Sequence, residues 1–267
     1  MSERGLAPER GSMPGPQRRP PRTALLAVSH GTSNPEGQRL VAQLVQQVRD
    51  AAAKRGLADL VRLGHVDVQQ PDVPASLAAL SEGMAAVVVP LLLSAGFHVN
   101  VDLKRDTAEL NRPATISGAL GPDDRLVELI IHRLEQAGVD LGRDELIFAA
   151  AGSSDSSAVR DCQEMAARIQ ARLDRPVQDA YLSFAKPSVK TAVAQARTTT
   201  QGRVVLISYL LAPGYFQKLL ERAGADVVTR SLLPQDSTQA PTELVEIILD
   251  RFAAGLAELT PTAHAAR

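Results

Sequence analysis

Short apolar segments alternate with longer amphipathic segments along this chain of 267 residues. The apolar segments are rich in Val, Leu and Ile, as is typical of strands that are covered on both faces. We predict strands at residues 24–28, 61–66, 85–93, 146–150, 177–182, 204–210 and 227–229. Between them apolar residues recur at three- and four-residue steps, which predicts helices, and two further helices are predicted at 123–137 and 242–259. Because strands and helices alternate, we predict an α/β fold built on mostly parallel sheets.

Three sequence blocks occur twice, in the same order. Residues 25–33 (LLAVSHGTS) match 146–154 (LIFAAAGSS), residues 70–73 (QPDV) match 186–189 (KPSV), and residues 87–98 (VVVPLLLSAGFH) match 205–216 (VLISYLLAPGYF). Ordered matches of this kind indicate an internal duplication. We therefore predict two tandem repeated lobes, each a mostly parallel four-stranded sheet with helices on both faces. The predicted lobes are 22–140 and 141–260, with tails at 1–21 and 261–267.

The composition excludes several classes of partner. Residues 1–21 contain five prolines and no apolar stretch, which predicts a disordered tail rather than a signal peptide. A net charge of −1 and an aromatic content of 3% offer neither the basic field nor the stacking surface that nucleic-acid binding uses. Pro90 interrupts the longest apolar segment, so no membrane span is predicted. The single cysteine, Cys162, fits a reducing compartment. We expect a cytoplasmic protein, monomeric or homodimeric, with no nucleic-acid or membrane partner.

Three polar side chains occur in the first copy of the repeat and are lost in the second. The equivalent positions are His30 and Ala151, Asp67 and Ser183, and His98 and Phe216. All three polar residues follow predicted strands, at the carboxyl ends where open parallel sheets bind their ligands. Two imidazoles and a carboxylate can bind a divalent transition metal, accept protons, or do both in turn. We therefore interpret the first lobe as the carrier of the active site and the second as a degenerate copy.

The residues around these positions resemble a known enzyme family. The string Ser29-His30-Gly31-Thr32-Ser33, the loop that ends in His98, and Asp67 four residues before Pro71 resemble the sirohydrochlorin chelatases, which are class II chelatases. The resemblance covers residues 22–259 and implies a bilobal α/β fold. It implies a lyase that inserts Fe²⁺ or Co²⁺ into sirohydrochlorin without ATP, in siroheme or cobalamin biosynthesis. The divalent metal would be a substrate, and no organic cofactor is expected.

The resemblance also implies roles for individual side chains. It places the two histidines of the family on His30 and His98, and its acidic residue, commonly Glu, on Asp67. We expect both histidines to bind the incoming metal on one face of the macrocycle and to receive the two pyrrole protons. Asp67 would orient an imidazole or help hold the metal before transfer. The family usually has Arg where this chain has Ser33, so a basic contact to a substrate carboxylate is either absent or supplied from elsewhere.

Two segments are predicted to bind the polycarboxylate substrate that the resemblance implies. The backbone amides of Gly31, Thr32, Ser33 and Asn34 lead into a predicted helix and could bind an anion. Leu93, Ser94, Ala95 and Gly96 would line the site on the other side. Leu93 and Ala95, together with Leu92 and Phe97, are interpreted as an apolar wall for the flat macrocycle.

Two alternatives remain open at this stage. Ser29-His30-Gly31 is similar to the Arg-His-Gly motif of the histidine phosphatases, but Ser29 replaces the arginine that would hold the phosphate. A non-catalytic carrier of metal or tetrapyrrole would use the same ligands without turnover. An ATP-driven chelatase subunit is not expected, because the Gly-x-x-x-x-Gly-Lys loop is absent. Imidazole binds iron, cobalt and nickel alike, so the sequence does not decide the metal. His65, within a predicted strand, is interpreted as a core or interface residue.

Overall fold

The first half of the chain forms a four-stranded parallel sheet with helices on both faces. The computed structural model describes residues 22–96, 103, 107 and 113–259. In chain order the elements are β1 (Thr23–Ser29), α1 (Pro35–Arg55), β2 (Leu60–His65), α2 (Val73–Ala78), β3 (Ala85–Pro90), β4 (Ala114–Ile116) and α3 (Asp124–Gln136). The strand order is β2-β1-β3-β4, and every neighbouring pair is parallel.

The second half repeats this arrangement. Its elements are β5 (Glu145–Ala150), α4 (Ser156–Leu173), β6 (Gln178–Tyr181), α5 (Val189–Thr199), β7 (Val204–Tyr209), α6 (Tyr215–Glu221), β8 (Val227–Val228) and α7 (Thr242–Leu259). The strand order β6-β5-β7-β8 is the same as in the first half, and the pairs are again parallel. The predicted fold class, two repeated α/β units on parallel four-stranded sheets, is confirmed. Over the residues that the structure describes, no helix is long and apolar enough to cross a membrane.

Burial on both faces explains why the strands are continuous apolar runs. In β1, Leu25 and Ala27 pack into the cluster that contains residues of α1 and α7, whereas Leu26 and Val28 pack into a second cluster with α2. Successive side chains of a strand point to opposite faces, so a strand covered on both sides is apolar at most of its positions. The central strands β3 and β7 are buried at all of their positions.

One predicted strand is too long, and one observed strand was not predicted. The strand predicted at 85–93 ends at Pro90, because the chain leaves the sheet there: Leu91 makes the last ladder bond, from its N–H to the carbonyl of Val28. The short edge strand β4 was not predicted at all. With three residues it carries too little of the period-2 pattern to be recognised in sequence.

The last helix of each half packs against the other half. Helix α7 packs on β3, β4 and α1 of the first sheet, and Gly255 allows this because a Cβ there would collide with Val87. Helix α3 packs on α4 of the second half. The buried guanidinium of Arg133 on α3 donates to the carbonyls of Ser231 and Leu232, which follow the second sheet. A continuous apolar core therefore joins the two halves.

Candidate active site

The loop after β1 presents His30 at the carboxyl rim of the first sheet. Ser29, the last residue of the strand, is buried, and His30 immediately after it is exposed. Gly31 follows with a φ of +94°, and a Cβ at this position would collide with the carbonyl oxygen of Asp67. Glycine is therefore the residue that this turn requires, both for its backbone conformation and for the close approach. The next helix begins after Asn34, whose side chain accepts a hydrogen bond from the N–H of Gly37.

The loop after β2 lies directly against the His30 loop. The N–H of Asp67 donates to the carbonyl of His30 at 3.0 Å, so the two main chains are in contact. The Asp67 side chain is exposed, and its Oδ1 accepts from the N–H of Val68 at 2.7 Å. The structure therefore brings together two of the three residues predicted to bind metal. The third, His98, lies outside the described residues, as does Phe97.

Two of the four backbone amides predicted to bind an anion already have partners. The N–H of Thr32 donates to Oε1 of Gln69 at 2.9 Å, and the N–H of Asn34 donates to Oγ1 of Thr32 at 3.1 Å. Gln38 in turn donates to the Thr32 carbonyl. These bonds tie the beginning of α1 to the loop after β2, and they leave the segment Gly31–Asn34 fewer amides to offer a ligand than its sequence suggests.

The predicted substrate loop Leu93–Gly96 contacts the second half of the molecule. The carbonyl of Leu93 accepts from the Tyr209 hydroxyl at 3.0 Å, and the N–H of Ala95 donates to Asp161 at 2.8 Å. A Cβ at Gly96 would lie 3.5 Å from Oγ of Ser153. Ser94 hydrogen-bonds the thiol of Cys162, and burial raises the pKa of that thiol to about 11. This loop is therefore held by the second half, through the end of β7 and the beginning of α4.

The second half reproduces the backbone of the site without its polar side chains. Gly152 has a φ of +88°, and a Cβ there would collide with the carbonyl oxygen of Ser183. The N–H of Ser183 donates to the carbonyl of Ala151 at 3.0 Å, as Asp67 does to His30. The same turn, with the same close approach, thus carries alanine and serine where the first half carries histidine and aspartate.

An equivalent contact is made from the second half to the first. The loop after β7 packs on the beginning of α1: a Cβ at Gly37 would lie 2.6 Å from the carbonyl oxygen of Pro213. A Cβ at Gly214 would lie 3.5 Å from Oγ1 of Thr32. Each half therefore sends the loop after its third strand to the rim of the other half. Consequently the His30 loop is bordered by residues of the second half, which the sequence did not predict.

A buried histidine is hydrogen-bonded to the residue that precedes His30. Nδ1 of His65, at the end of β2, forms a 2.8 Å hydrogen bond with Oγ of Ser29, the residue before His30. Both side chains are buried, and burial lowers the pKa of His65. Of the two roles predicted for His65, core or interface, the structure shows the core, and the sequence did not reveal this hydrogen bond. The bond depends on the parallel register that sets Ser29 opposite His65.

The His65–Ser29 hydrogen bond leads to a prediction for stability against pH. Because its folded pKa is lowered, His65 stays neutral where the unfolded chain already binds a proton, below the ordinary imidazole value of about 6.5. The unfolded state then binds more protons, so the free energy of unfolding falls as the pH falls below about 6.5. We expect His65→Asn to flatten this decline in urea titrations at about pH 7.5 and 5.5. The control His132→Asn removes an exposed histidine on α3 and should keep the wild-type decline; a decline equally steep in His65→Asn would contradict the prediction.

Comparison with known proteins gives a consistent result for both halves. The family model CbiX matches residues 24–137 and again residues 145–237. A sirohydrochlorin ferrochelatase from Priestia megaterium is 24% identical over 201 residues, which cover 72% of this chain and 74% of that protein. A sirohydrochlorin cobaltochelatase from Sulfolobus acidocaldarius is 32% identical over 117 residues, 42% of this chain and 90% of that protein.

The solved structures agree on the fold. SirB from Bacillus subtilis with Fe³⁺ superposes with a TM-score of 0.73 at 19% sequence identity, over 91% of this chain and 97% of that chain. The duplicated architecture is thus shared along nearly the whole length of both molecules. Because the family model matches each repeat in turn and together the matches span most of the chain, this protein belongs to the CbiX family.

Proposed function

We propose that this protein inserts a divalent metal, Fe²⁺ or Co²⁺, into sirohydrochlorin without ATP, as a lyase of siroheme or cobalamin biosynthesis. The observation that carries the proposal is the exposed His30, set against Asp67 at the rim of one sheet, in a chain whose two halves both match the CbiX family. Relatives of this chain are named for iron insertion and for cobalt insertion into the same tetrapyrrole. The metal is a substrate here, and the paired assay described below decides between iron and cobalt.

The chemistry of insertion requires what this rim offers. A hydrated metal must lose water, and two pyrrole nitrogens must lose their protons as the metal binds. Imidazole is a suitable ligand for Fe²⁺ and Co²⁺ and accepts protons near neutral pH. His30 would bind the metal as water leaves and then take up a pyrrole proton. Asp67, whose main chain contacts that of His30, would supply negative charge beside the metal. His98 is proposed as the second imidazole.

We propose that the two lobes have different roles. The lobe 22–140 would carry the reacting groups, and the lobe 141–260 would keep the scaffold with a degenerate site, since Ala151 and Ser183 replace His30 and Asp67 on the same backbone. Gly31–Asn34 and Leu93–Gly96 are proposed to border the substrate. A cytoplasmic location and a monomeric or homodimeric state are proposed with them.

An anaerobic insertion assay tests the function. The protein is mixed with sirohydrochlorin and either Fe²⁺ or Co²⁺, and the visible spectrum of the macrocycle is followed against a protein-free control. We expect insertion to be faster with protein for at least one of the metals. Equal rates with and without protein for both metals would rule out a chelatase. Binding in a fixed ratio without turnover would indicate a carrier, and phosphate release from a phosphomonoester would indicate a phosphatase.

A further inference from the structure

Two glutamine side chains hold the main chain of Thr32, two residues after His30. Oε1 of Gln69 accepts from the N–H of Thr32 at 2.9 Å, and Nε2 of Gln38 donates to the carbonyl of Thr32 at 2.7 Å. A main-chain N–H can only donate and a carbonyl can only accept, so these partners fix which end of each side-chain amide faces Thr32. Both glutamines are half-buried. Gln38 and Gln69 are called the glutamine pair below.

Gln69 also belongs to the loop that carries Asp67. The N–H of Gln69 donates to the Asp67 carbonyl at 2.7 Å, and the N–H of Asp67 donates to the His30 carbonyl at 3.0 Å. The loop after β2 therefore bonds to the peptide groups on both sides of Gly31, to one through its main chain and to the other through the Gln69 side chain. Loss of this side chain would leave only the main-chain bond between the two loops at this turn.

The second half forms the same turn without either glutamine. Ala185 stands at the position equivalent to Gln69, and Val159, on α4, at the position equivalent to Gln38. Neither of these side chains can form a hydrogen bond. The glycine of that turn nevertheless keeps its positive φ and its close approach to a carbonyl oxygen. The turn therefore does not need the glutamine pair in order to fold.

The glutamine pair occurs in the half that has His30 and Asp67 and is absent from the half that has lost both. Metal insertion needs the imidazole and the carboxylate at fixed positions while the metal passes from one ligand set to another. A displacement of about 1 Å can lower a reaction rate about 10²-fold, and reacting side chains therefore need support from the residues around them. Hydrogen bonds that the turn does not need for folding can supply this support.

We propose that Gln69 and Gln38 are positioning residues for metal insertion: they fix the main chain of Thr32, and with it the loop that carries His30, against the loop that carries Asp67. This inference rests on the proposed function. In this role neither glutamine binds the metal or takes up a proton, because each acts through the main chain of the His30 loop. The two positions require opposite chemistry, an acceptor at Gln69 and a donor at Gln38.

The same substitution should have different effects at the two positions in the insertion assay. Gln69→Glu keeps an acceptor for the N–H of Thr32 and should retain at least about half of the wild-type kcat. Gln38→Glu sets an acceptor against the Thr32 carbonyl, and Gln69→Met offers no acceptor, so each should lower kcat about tenfold. The KM for sirohydrochlorin should change by less than about twofold in all three variants, whereas a role in substrate binding would raise it.

A double-mutant cycle tests whether Gln69 acts through His30. In the His30→Ala background, Gln69→Met should lower the remaining rate above the protein-free control by less than about twofold, because no imidazole is left to position. A general loss of structure would lower the rate by the same factor in both backgrounds. Gln47→Met, about 18 Å along α1 from its first residue, is the matched control and should insert metal at the wild-type rate. Urea unfolding curves give the folded fraction by which each rate is corrected.

The outcomes distinguish this inference from the proposed function. If wild-type protein inserts metal but Gln69→Met and Gln38→Glu keep the wild-type kcat, the inference is wrong and the function stands. The inference is also wrong if Gln69→Glu and Gln38→Glu respond alike, or if Gln69→Met slows His30→Ala by the same factor as it slows the wild type. If wild-type protein does not accelerate insertion, the proposed function is wrong and the positioning role is overturned with it.

Discussion

Replacing His30 with alanine is expected to slow metal insertion by about 10²- to 10⁴-fold, the range found for loss of a positioned proton acceptor. The imidazole is exposed at the rim, so its removal leaves no buried cavity and should not unfold the protein. Binding of metal-free sirohydrochlorin should change by less than about twofold, because the loops proposed to border the substrate keep their backbone. The measurement is the initial rate of spectral change under anaerobic conditions, with the tetrapyrrole dissociation constant determined in parallel.

Two comparisons make the His30→Ala result specific. His132→Ala removes an exposed histidine on α3, which bonds Gln136 of its own helix, and should insert metal at the wild-type rate. Added imidazole should restore part of the activity of His30→Ala, because a free ligand can occupy the space that the side chain leaves. A His30→Ala variant that keeps more than half of the wild-type rate would show that this histidine neither binds the metal nor accepts the protons.

Replacing Gly31 with alanine is expected to cost about 3 kcal/mol or more of folding free energy. The residue would have to keep a positive φ while its Cβ meets the carbonyl oxygen of Asp67. Gly152→Ala faces the same collision, with the carbonyl of Ser183, and should cost a similar amount. Only Gly31→Ala should also lower kcat per folded molecule, because only that turn aligns His30 with Asp67. The measurements are urea unfolding curves and insertion rates corrected for the folded fraction.

A third glycine shows how much folding free energy the positive φ costs without a steric collision. Gly56, the residue after α1, has a φ of +63°, but a Cβ there would meet nothing within 4 Å. Gly56→Ala should therefore cost only about 1 kcal/mol, the penalty of the left-handed conformation alone. If Gly31→Ala were no more destabilising than Gly56→Ala, the carbonyl oxygen of Asp67 could not pack against Gly31 as closely as the structure shows.

Local patterns were sufficient to predict most of the strands, the duplication and the position of His30. A strand buried on both faces is apolar at most residues, so β1 and β7 are visible in the sequence as largely apolar runs. Gly31 and Gly152 are equivalent in the sequence repeat, which by itself aligns His30 with Ala151. Asp67 was placed by the same comparison, and its main chain does contact that of His30.

Contacts between residues far apart in the sequence determined the features that the sequence did not predict. No local pattern shows that α7 crosses to the first sheet, that Asp161 binds the backbone of Ala95, or that Gly214 brings Tyr215 beside Thr32. These features depend on how the two sheets pack together. The hydrophobic periodicity of one segment does not show which distant segment it contacts. The sequence by itself therefore determined the repeated α/β units and the imidazole at one rim. Only the tertiary structure showed that residues of the second half border that rim, because the loops after β3 and β7 exchange between the halves.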